Sequence, residues 1–244
     1  MSSKERIDKL LVERGLVKSR QRAQALILAG QVIVGEERVD KSGTKVDINA
    51  EIRIKGEDIP YVSRGGLKLA SALDFFKIDP KGKVVMDVGS STGGFTDCLL
   101  QRKAARIYAV DVGYGLLAWK LKQDPRVISL ERRNIRYLKK DEIPELVDMV
   151  VIDTSFISVK KFLAHVLEFM AEKGELLILA KPQFEVGKGE VEKGGIVKDP
   201  KKHKRVVKEL AGFGQSLGLI FIGSNPSAIP GSKGNQEFFL YFKR

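Results

Sequence analysis

The segment that covers residues 83–97 most constrains what this chain can fold into. A short apolar run ends in Asp87, turns through Gly89 and opens a helix at Gly93 and Gly94. The next apolar run ends in a second acid, Asp111, about twenty residues after the turn. This order of strand, glycine turn, helix, strand and acid predicts a βαβ unit. Its glycines let the backbone approach a ligand, and its acid can hold both hydroxyls of a ribose.

Length and composition exclude several classes of protein. The 244 residues suffice for one large domain, or for one medium and one small domain. No apolar stretch approaches the roughly 18–20 residues of a membrane-spanning helix, so we expect no membrane partner. Cys98 is the only cysteine, which excludes an intrachain disulfide and a cysteine zinc site, and we expect it to be a small core residue in a reducing cytoplasm. His165 and His203 fall in separate predicted helices, so no metal site is expected.

The charge of the chain favours a polyanionic partner. The net charge is +12, to which residues 1–59 contribute +2 and residues 60–244 contribute +10. The positive field therefore belongs mostly to the larger part of the chain. Lysine-rich helix faces that serve only solubility remain the alternative.

The N-terminal part of the chain predicts a small α+β module. Residues 6–13 and 20–29 each carry apolar side chains at helical spacing, and Ser19 and Gly30 fit the start and the end of the second helix. Strands of a small antiparallel sheet are predicted at residues 31–34, 38–39 and 51–55. Pro60 disfavours helix in the residue before it. We therefore expect a first domain at residues 1–58, a linker at 59–62 and a second domain at 63–244.

Basic residues gather at the start of the second helix, where free N–H groups already favour anions. Lys18, Arg20 and Arg22 can bind phosphates there, although a solvated helix face would carry the same charges. Roughly residues 4–56 resemble the S-four type of RNA-binding domain, named after a ribosomal protein, through the motifs Arg6-x-Asp8-x-x-Leu11, Ser19-Arg20-x-x-Ala23 and Ala29-Gly30-x-Val32-x-Val34. The resemblance implies that Arg6, Lys18, Arg20 and Arg22 contact structured RNA through its shape and phosphates.

Helices and strands alternate from residue 63 onwards, which predicts an α/β domain with a parallel sheet and helices on both faces. Strands are predicted at residues 83–88, 106–111, 127–130, 147–153 and 175–180, followed by a pair at 219–223 and 237–242 that can run antiparallel. Helices are predicted at residues 66–76, 93–103, 115–123, 159–172 and 200–217. Such sheets bind ligands beyond the carboxyl ends of their strands, where we expect Asp87, Asp111, Asp153 and Lys181.

This pattern resembles a class I S-adenosylmethionine-dependent methyltransferase with its Rossmann-like sheet. A dinucleotide dehydrogenase shares the first βαβ unit, but the terminal pair of strands and the polar residues described next favour the methyltransferase. The resemblance implies that S-adenosylmethionine is bound by Asp87, Gly89, Ser90, Ser91, Gly93, Gly94, Phe95, Asp111 and Asn134. Asp111 would bind the ribose, and Asn134 would bind the adenine edge. The alternative for Asn134 is an ordinary asparagine in a loop.

Four polar residues carry the predicted chemistry. Lys68, Asp153, Lys181 and Glu237, in this order, resemble the catalytic tetrad of the FtsJ-like ribose 2′-O-methyltransferases. A ribose hydroxyl holds its proton tightly, and a lysine that is desolvated beside another cation can become a base for it. We expect Lys181 to be this base, although Lys68 remains an alternative. Asp153 and Glu237 would then position the lysines and the hydroxyl, and Lys68 would also hold the target phosphate.

The whole chain resembles the TlyA family, through Tyr61-Val-Ser-Arg-Gly65, Gly89-Ser-Ser-Thr-Gly-Gly-Phe95, Asp111-Val-Gly-Tyr-Gly115, Lys181-Pro-Gln-Phe-Glu-Val-Gly187 and Gly194-Gly-Ile-Val197. The resemblance implies 2′-O-methylation of a cytidine in ribosomal RNA, as free RNA or in a ribosomal subunit. Some members are labelled haemolysins.

Two features depart from parts of the family. Ile59-Pro-Tyr-Val62 stands where some members have an Arg-x-Trp-Val linker implicated in cofactor binding, which puts a linker contribution in doubt. The chain ends at Lys243-Arg244, as in members restricted to the 23S RNA of the large subunit, whereas longer members also modify 16S RNA.

Two other functions remain as alternatives. A catalytically silent, RNA-binding ribosome assembly factor would show the same fold, and the intact glycine turn and tetrad argue against it. The lack of a membrane-spanning stretch argues against a pore-forming haemolysin. The sequence does not specify the target nucleotide, and it leaves a monomer and a homodimer equally open.

Overall fold

The computed structural model describes residues 3–54 and 59–244, apart from the side chains of Lys188 and Ser232. The chain divides into two compact units, Met1–Ile59 and Pro60–Arg244. The division into residues 1–58, 59–62 and 63–244 stays a prediction, and its boundary residue Asp58 lies outside the described residues.

The smaller unit is an α+β module, as the sequence predicts. In chain order, its described elements are β1 (Lys4–Arg6), α1 (Ile7–Glu13), α2 (Arg20–Leu28), β2 (Val32–Val34), β3 (Glu37–Arg38), β4 (Lys45–Asp47) and β5 (Ile52–Ile54). β3, β2 and β5 form the predicted antiparallel sheet. The first helix begins one residue later than predicted, because Arg6 belongs to β1 and pairs with Lys45 of β4.

The predicted start of α2 is confirmed, and the helix ends at Leu28, one residue before the predicted end at Ala29. The Ser19 hydroxyl accepts a hydrogen bond from the Arg22 N–H at 3.2 Å, which satisfies a free donor of the first turn. Gly30 follows the helix with φ +66, and a Cβ there would lie 1.9 Å from the Arg38 guanidinium. The predicted apolar faces of the two helices are buried together, through Ile7, Leu10, Leu11, Ala23, Leu26 and Ile27.

The larger unit is built around one sheet. Its strands are β6 (Val84–Val88), β7 (Arg106–Val110), β8 (Val127–Leu130), β9 (Val147–Ile152), β10 (Met170–Ala180), β11 (Ile220–Pro226) and β12 (Phe238–Lys243). Its α-helices are α3 (Arg64–Phe76), α4 (Gly94–Gln101), α5 (Trp119–Lys122), α6 (Leu163–Val166), α7 (Pro182–Glu185) and α8 (Pro200–Ser216). One face buries α3 and α4, and the other buries α6 and α8, as expected for an α/β sheet.

The strand order places a switch point at the centre of the sheet. Within residues 60–244 the seven strands run in the order β11-β12-β10-β9-β6-β7-β8. β6 to β10 are mutually parallel, and the terminal strands β11 and β12 pair antiparallel, as predicted. The chain moves outwards from β6 to β8 and then returns to β9 on the other side of β6. Ligands of open α/β sheets bind beside such a reversal.

The predicted helix at residues 115–123 is wrong over its first half, and only the short α5 forms in its second half. The backbone N–H of Ala118 bonds to the carbonyl of Thr92 at 3.2 Å. Leu117 and Leu121 pack into the space that a Cβ of Gly93 would fill. Burial against the glycine turn therefore outweighs the helical pattern of this loop.

The predicted helix at residues 159–172 is wrong as well. It breaks into a 3-10 turn (Val159–Lys161), α6 and a second 3-10 turn (Leu167–Phe169). Met170 then begins β10 and pairs with Val147 of β9, so this strand starts five residues before the predicted residue 175. Sheet pairing thus overrides the local helical pattern.

Helices α3 and α4 meet through glycines at their N-termini. A Cβ on Gly94 would lie 2.3 Å from the Ser63 hydroxyl oxygen and 2.9 Å from the Gly66 nitrogen. Asp97 of α4 accepts a hydrogen bond from the Val62 N–H at 2.8 Å, which fixes the segment that enters α3. Glycine at position 94 therefore sets the position of α3, and with it the position of Lys68.

We expect Gly94→Ala to lower the free energy of unfolding by about 1–3 kcal/mol, because the added methyl group overpacks the contact between α3 and α4. The measurement is urea unfolding followed by the fluorescence of Trp119, the single tryptophan. Gly212→Ala in α8 is the matched control, since its Cβ would meet no atom within 4 Å. The control should leave stability unchanged or raise it by up to about 1 kcal/mol. Equal stabilities of the two variants would contradict the role of Gly94.

Candidate active site

A cavity of about 520 Å³ opens at the carboxyl ends of β6 and β9, at the switch point of the sheet. The glycine turn after β6, the start of α3 and the loop before β12 enclose it. Its described lining consists of Ser63, Arg64, Gly65, Lys68, Gly89, Ser90, Ser91, Thr92, Gly94, Phe95, Asp153, Ser155, Lys181, Pro230, Gly231, Lys233 and Gly234. The volume lies in the range of sites that bind small molecules.

Gly89 makes the turn on the floor of this cavity. Its φ is +86, and a Cβ there would lie 2.5 Å from the carbonyl oxygen of Asp153. Both facts require glycine, because other residues strain at this φ and would collide with the end of β9. The turn leads to the N-terminus of α4, whose Phe95 is buried.

The predicted ribose-binding acid is held against the same turn. Asp111 accepts hydrogen bonds from the backbone N–H groups of Ser91 and Gly113, both at 2.7 Å. These bonds fix the carboxylate where β7 ends and leave its further lone pairs for hydroxyl groups. Asn134 caps a 3-10 turn by accepting from the Arg136 N–H at 3.1 Å. Neither Asp111 nor Asn134 contributes to the cavity lining formed by the described residues.

Asp87 is fully buried beneath the turn. Its Oδ2 accepts a hydrogen bond from the Thr96 hydroxyl at 2.6 Å, and its Oδ1 has no partner in the described part of the chain. Desolvation raises the pKa of Asp87 to about 7, against the hydrogen bond from Thr96, and the nearby Asp153 adds to the rise. A carboxyl group close to its titration point thus lies under the predicted cofactor turn.

The four predicted catalytic residues form two ion pairs. The Lys68 ammonium lies 2.7 Å from Oε2 of Glu237, and the Lys181 ammonium lies 2.6 Å from Oδ1 of Asp153. The lysine side chains are only 12 % and 10 % exposed, and both line the cavity. Glu237 lies behind Lys68 and is buried. The structure therefore brings together residues that lie far apart in the sequence.

Loop residues that sequence reasoning missed complete the pocket. The Ser155 hydroxyl accepts a hydrogen bond from Lys181 at 2.9 Å. Gly231 leaves room for the Glu237 carboxylate, since a Cβ there would lie 1.9 Å from Oε1. Ser155 lies two residues after Asp153, a spacing that could have marked it. No local pattern distinguishes Gly231 or Lys233 in a loop rich in glycine, proline and serine.

An exposed aromatic side chain follows Ser155 directly. Phe156 is 90 % exposed and has φ +67, an uncommon conformation for a residue with a bulky side chain. Its ring packs against Phe184 of α7 at a centroid distance of 5.1 Å. A strained backbone that presents an aromatic ring to solvent beside a pocket is typical of a functional constraint.

The predicted RNA-binding residues lie on the smaller unit. Arg6 and Arg20 both contact the buried carboxylate of Asp8. Lys18 is exposed, and Arg22 is half-buried. No helix among the described residues is long and apolar enough to cross a membrane.

Comparison with known proteins identifies relatives of both units. The family profile described as FtsJ-like methyltransferase matches residues 61–244, and the S4 domain profile matches residues 5–52. YqxC of Bacillus subtilis is 47% identical over 98% of this chain and 86% of its own length. The 16S/23S rRNA (cytidine-2′-O)-methyltransferase TlyA of Mycobacterium tuberculosis is 44% identical over 100% of this chain and 91% of its own length. A solved structure from Streptococcus thermophilus, named as a hemolysin, is 40% identical, has a TM-score of 0.78 and covers 100% of this chain and 90% of its own.

We expect Asp87→Asn to flatten the pH dependence of stability. The pKa of Asp87 rises from 3.8 to about 7 on folding, so the folded state binds more protons than the unfolded state between these values. Its contribution to stability therefore falls as the pH rises through this window, by up to about 1.4 kcal/mol per pH unit. Asparagine keeps the shape and cannot ionise.

The measurement is urea unfolding at pH 5 and pH 7, followed by Trp119 fluorescence. Asp141→Asn is the control, because Asp141 is exposed. It should retain the pH slope of the unsubstituted protein. Equal slopes in all three proteins would contradict the shifted titration of Asp87.

Proposed function

Because this chain belongs to the TlyA family of FtsJ-like methyltransferases, we propose that it methylates the 2′-hydroxyl of a cytidine in ribosomal RNA with S-adenosylmethionine. The observation that carries the proposal is that two ion pairs, Lys68–Glu237 and Lys181–Asp153, lie beside a glycine turn at the switch point of the sheet. An acceptor hydroxyl and a methyl donor can meet in this one cavity.

The residues present fit the cofactor. The cavity is large enough for it, and Gly89 lines the floor, where its lack of a Cβ lets the turn lie directly against the backbone of Asp153. We propose that the turn from Gly89 to Phe95, with Ser90, Ser91, Gly93 and Gly94, holds its amino-acid part, that Asp111 holds its ribose and that Asn134 approaches its adenine. Asp87 supports the turn from below. When bound, S-adenosylmethionine supplies a methyl group on a positively charged sulfur that a ribose oxygen can attack.

Lys181 is the proposed general base. Once its ammonium has released a proton to solvent, Nζ would accept the proton of the 2′-hydroxyl as the oxygen attacks the methyl group and the bond between that methyl group and the sulfur breaks. Asp153 and Ser155 fix the direction of Nζ through their contacts of 2.6 Å and 2.9 Å. Because these contacts hold the Lys181 side chain in one conformation, no change of rotamer is needed when the hydroxyl binds.

Lys68 has a different proposed role. Its partner Glu237 is buried and is confined by Gly231, so the ammonium is fixed at the cavity wall. There it can hold the phosphate next to the target ribose and set the angle of attack. Lys68 as the base remains the alternative, which the comparison of lysine variants below tests.

Two surfaces support RNA as the substrate. The exposed ring of Phe156 can stack on an unstacked base, the way that proteins commonly hold single nucleotides. The smaller unit carries the half-exposed arginines Arg6 and Arg20, which suit phosphates. We propose the large ribosomal subunit as the main substrate, 16S RNA as a second target, and the cytoplasm as the compartment.

We expect Lys181→Ala to lower the rate of methyl transfer by at least about 100-fold, because it removes the base. The assay supplies labelled S-adenosylmethionine and purified 50S or 30S subunits that lack the modification. Lys68→Ala should raise the KM for the subunit more than it lowers kcat. Lys160→Ala is the matched control. It removes a lysine whose ammonium lies 2.8 Å from the carboxylate of Glu209 at the surface.

The labelled subunit identifies the substrate. Label in 50S RNA alone supports the large subunit as the target, and label in both subunits extends the target to 16S RNA. If the unsubstituted protein binds subunits but transfers no label, the silent assembly factor replaces the enzyme as the function. Full activity of Lys181→Ala with loss of kcat in Lys68→Ala would reverse the roles of the lysines.

We expect Gly231→Ala to lower methyl transfer about 100-fold while the fold is kept, because the new methyl group displaces the Glu237 carboxylate from Lys68. The same labelled-cofactor assay measures the loss, and Trp119 fluorescence checks the fold. Gly189→Ala should be active, since a Cβ at that position meets no atom within 4 Å. An active Gly231→Ala protein would show that the Lys68–Glu237 pair is not required.

A further inference from the structure

A buried carboxylate organises the basic residues of the smaller unit. Asp8 lies in the first turn of α1 and is fully buried. Arg6 grips it with two hydrogen bonds, from Nε to Oδ1 and from Nη2 to Oδ2, both at 3.0 Å. This bidentate geometry fixes the plane of the Arg6 guanidinium.

The same carboxylate reaches the second helix. Arg20, at the start of α2, donates from Nε to Oδ2 of Asp8 at 2.9 Å. Gln24, one turn further along α2, donates to the same oxygen at 3.2 Å. The Asp8 carboxylate therefore binds the guanidinium groups of two arginines that belong to separate segments.

Asp8 stays ionised in this position. Arg6 holds the pKa of the Asp8 carboxyl well below its usual range against the effect of burial, with further contributions from Gln24 and Arg20. A buried carboxylate is tolerated only when it is paired in this way. The cluster of Arg6, Asp8 and Arg20 thus carries one net positive charge.

The two arginines keep donors for a ligand. Among the bonds of the described residues, Arg6 uses two of its N–H groups on Asp8 and Arg20 uses one, out of five on each side chain. The side chains are 42 % and 53 % exposed, so the other N–H groups can reach solvent. A fixed pair of guanidinium forks matches two phosphate groups of a folded RNA backbone.

We propose that Asp8 is a positioning residue for RNA binding, which holds Arg6 and Arg20 in the orientation that meets the phosphates of structured RNA. The inference rests on the proposed function, in which this unit binds ribosomal RNA. For the removal of the Asp8 charge, this proposal predicts the opposite effect on RNA binding from the one that charge alone predicts. An anion in an RNA-binding surface repels phosphates, so charge alone predicts that its removal strengthens binding. Positioning predicts the reverse, because freed arginine side chains must be ordered again when the RNA binds.

Asp8→Asn in the full chain tests the proposal, with unmodified 50S subunits as the probe. We expect the Kd to rise at least fivefold at each of several salt concentrations, since two side chains lose their orientation. Glu36→Gln is the matched control. It removes one negative charge from the surface of the same unit, where the Glu36 carboxylate lies 2.8 Å from the Arg53 guanidinium. This variant should leave the Kd unchanged or lower it.

A second set of variants separates positioning from stability. In the background of Arg6→Ala with Arg20→Ala, Asp8→Asn should cause no further loss of affinity, because its effect passes through the two arginines. Arg6→Lys with Arg20→Lys keeps the net charge and should weaken binding as Asp8→Asn does, since lysine lacks the planar fork. Far-UV circular dichroism of each full chain checks that the unit is folded.

The outcomes distinguish this inference from the proposed function. Unchanged or tighter binding by Asp8→Asn, beside normal methyl transfer by the unsubstituted protein, overturns the positioning role and leaves the enzyme intact. A further loss of affinity in the double-alanine background also overturns it, because the role is then structural. If the unsubstituted protein binds no 50S subunit, the proposed function and the inference fail together.

Discussion

At position 89 the chain passes so close to the end of β9 that no side chain fits between them. A Cβ there would lie 2.5 Å from the carbonyl oxygen of Asp153, and the backbone N–H of Asp153 bonds in turn to Val88 at 2.9 Å. This contact joins the turn that faces the proposed cofactor to the end of β9, which Asp153, with its proposed catalytic carboxylate, directly follows. The floor of the cavity and the position of Asp153 therefore depend on it.

The two ion pairs explain how lysines can be kept at the wall of a narrow cavity. Removing an ammonium group from water is unfavourable unless a carboxylate compensates for it. Lys68 and Lys181 each have such a partner, so both remain ordered before a substrate arrives. Pairs of this kind add little to the stability of a fold, and they are typical of sites where chemistry constrains the sequence. Asp8 compensates the charge of the arginines in the smaller unit in the same way that Glu237 compensates the charge of Lys68.

Local patterns predicted the parts of the fold that depend on neighbouring residues. The βαβ unit around Gly89, the cap at Ser19 and the terminal antiparallel strands follow from glycine positions, a capping side chain and apolar runs. The helices predicted at residues 115–123 and 159–172 failed because Thr92 and Val147, distant in sequence, bind their backbones. The three-residue β1 carries too short a pattern to be predicted. The tetrad was found through its order in a known family, whereas Ser155 and Gly231 join the site through loop geometry that no periodicity encodes.

The pairing of Lys68 with Glu237 spans 169 residues of sequence. Contacts of such long range form late, because much of the chain must be ordered before its ends meet. Glu237 directly precedes β12, which lies between β11 and β10 in the sheet. The Lys68–Glu237 pair therefore needs β12 in place, whereas the glycine turn needs only β6, α4 and the end of β9. A molecule that has folded only in part can thus hold the turn but not the Lys68 ammonium at the cavity wall.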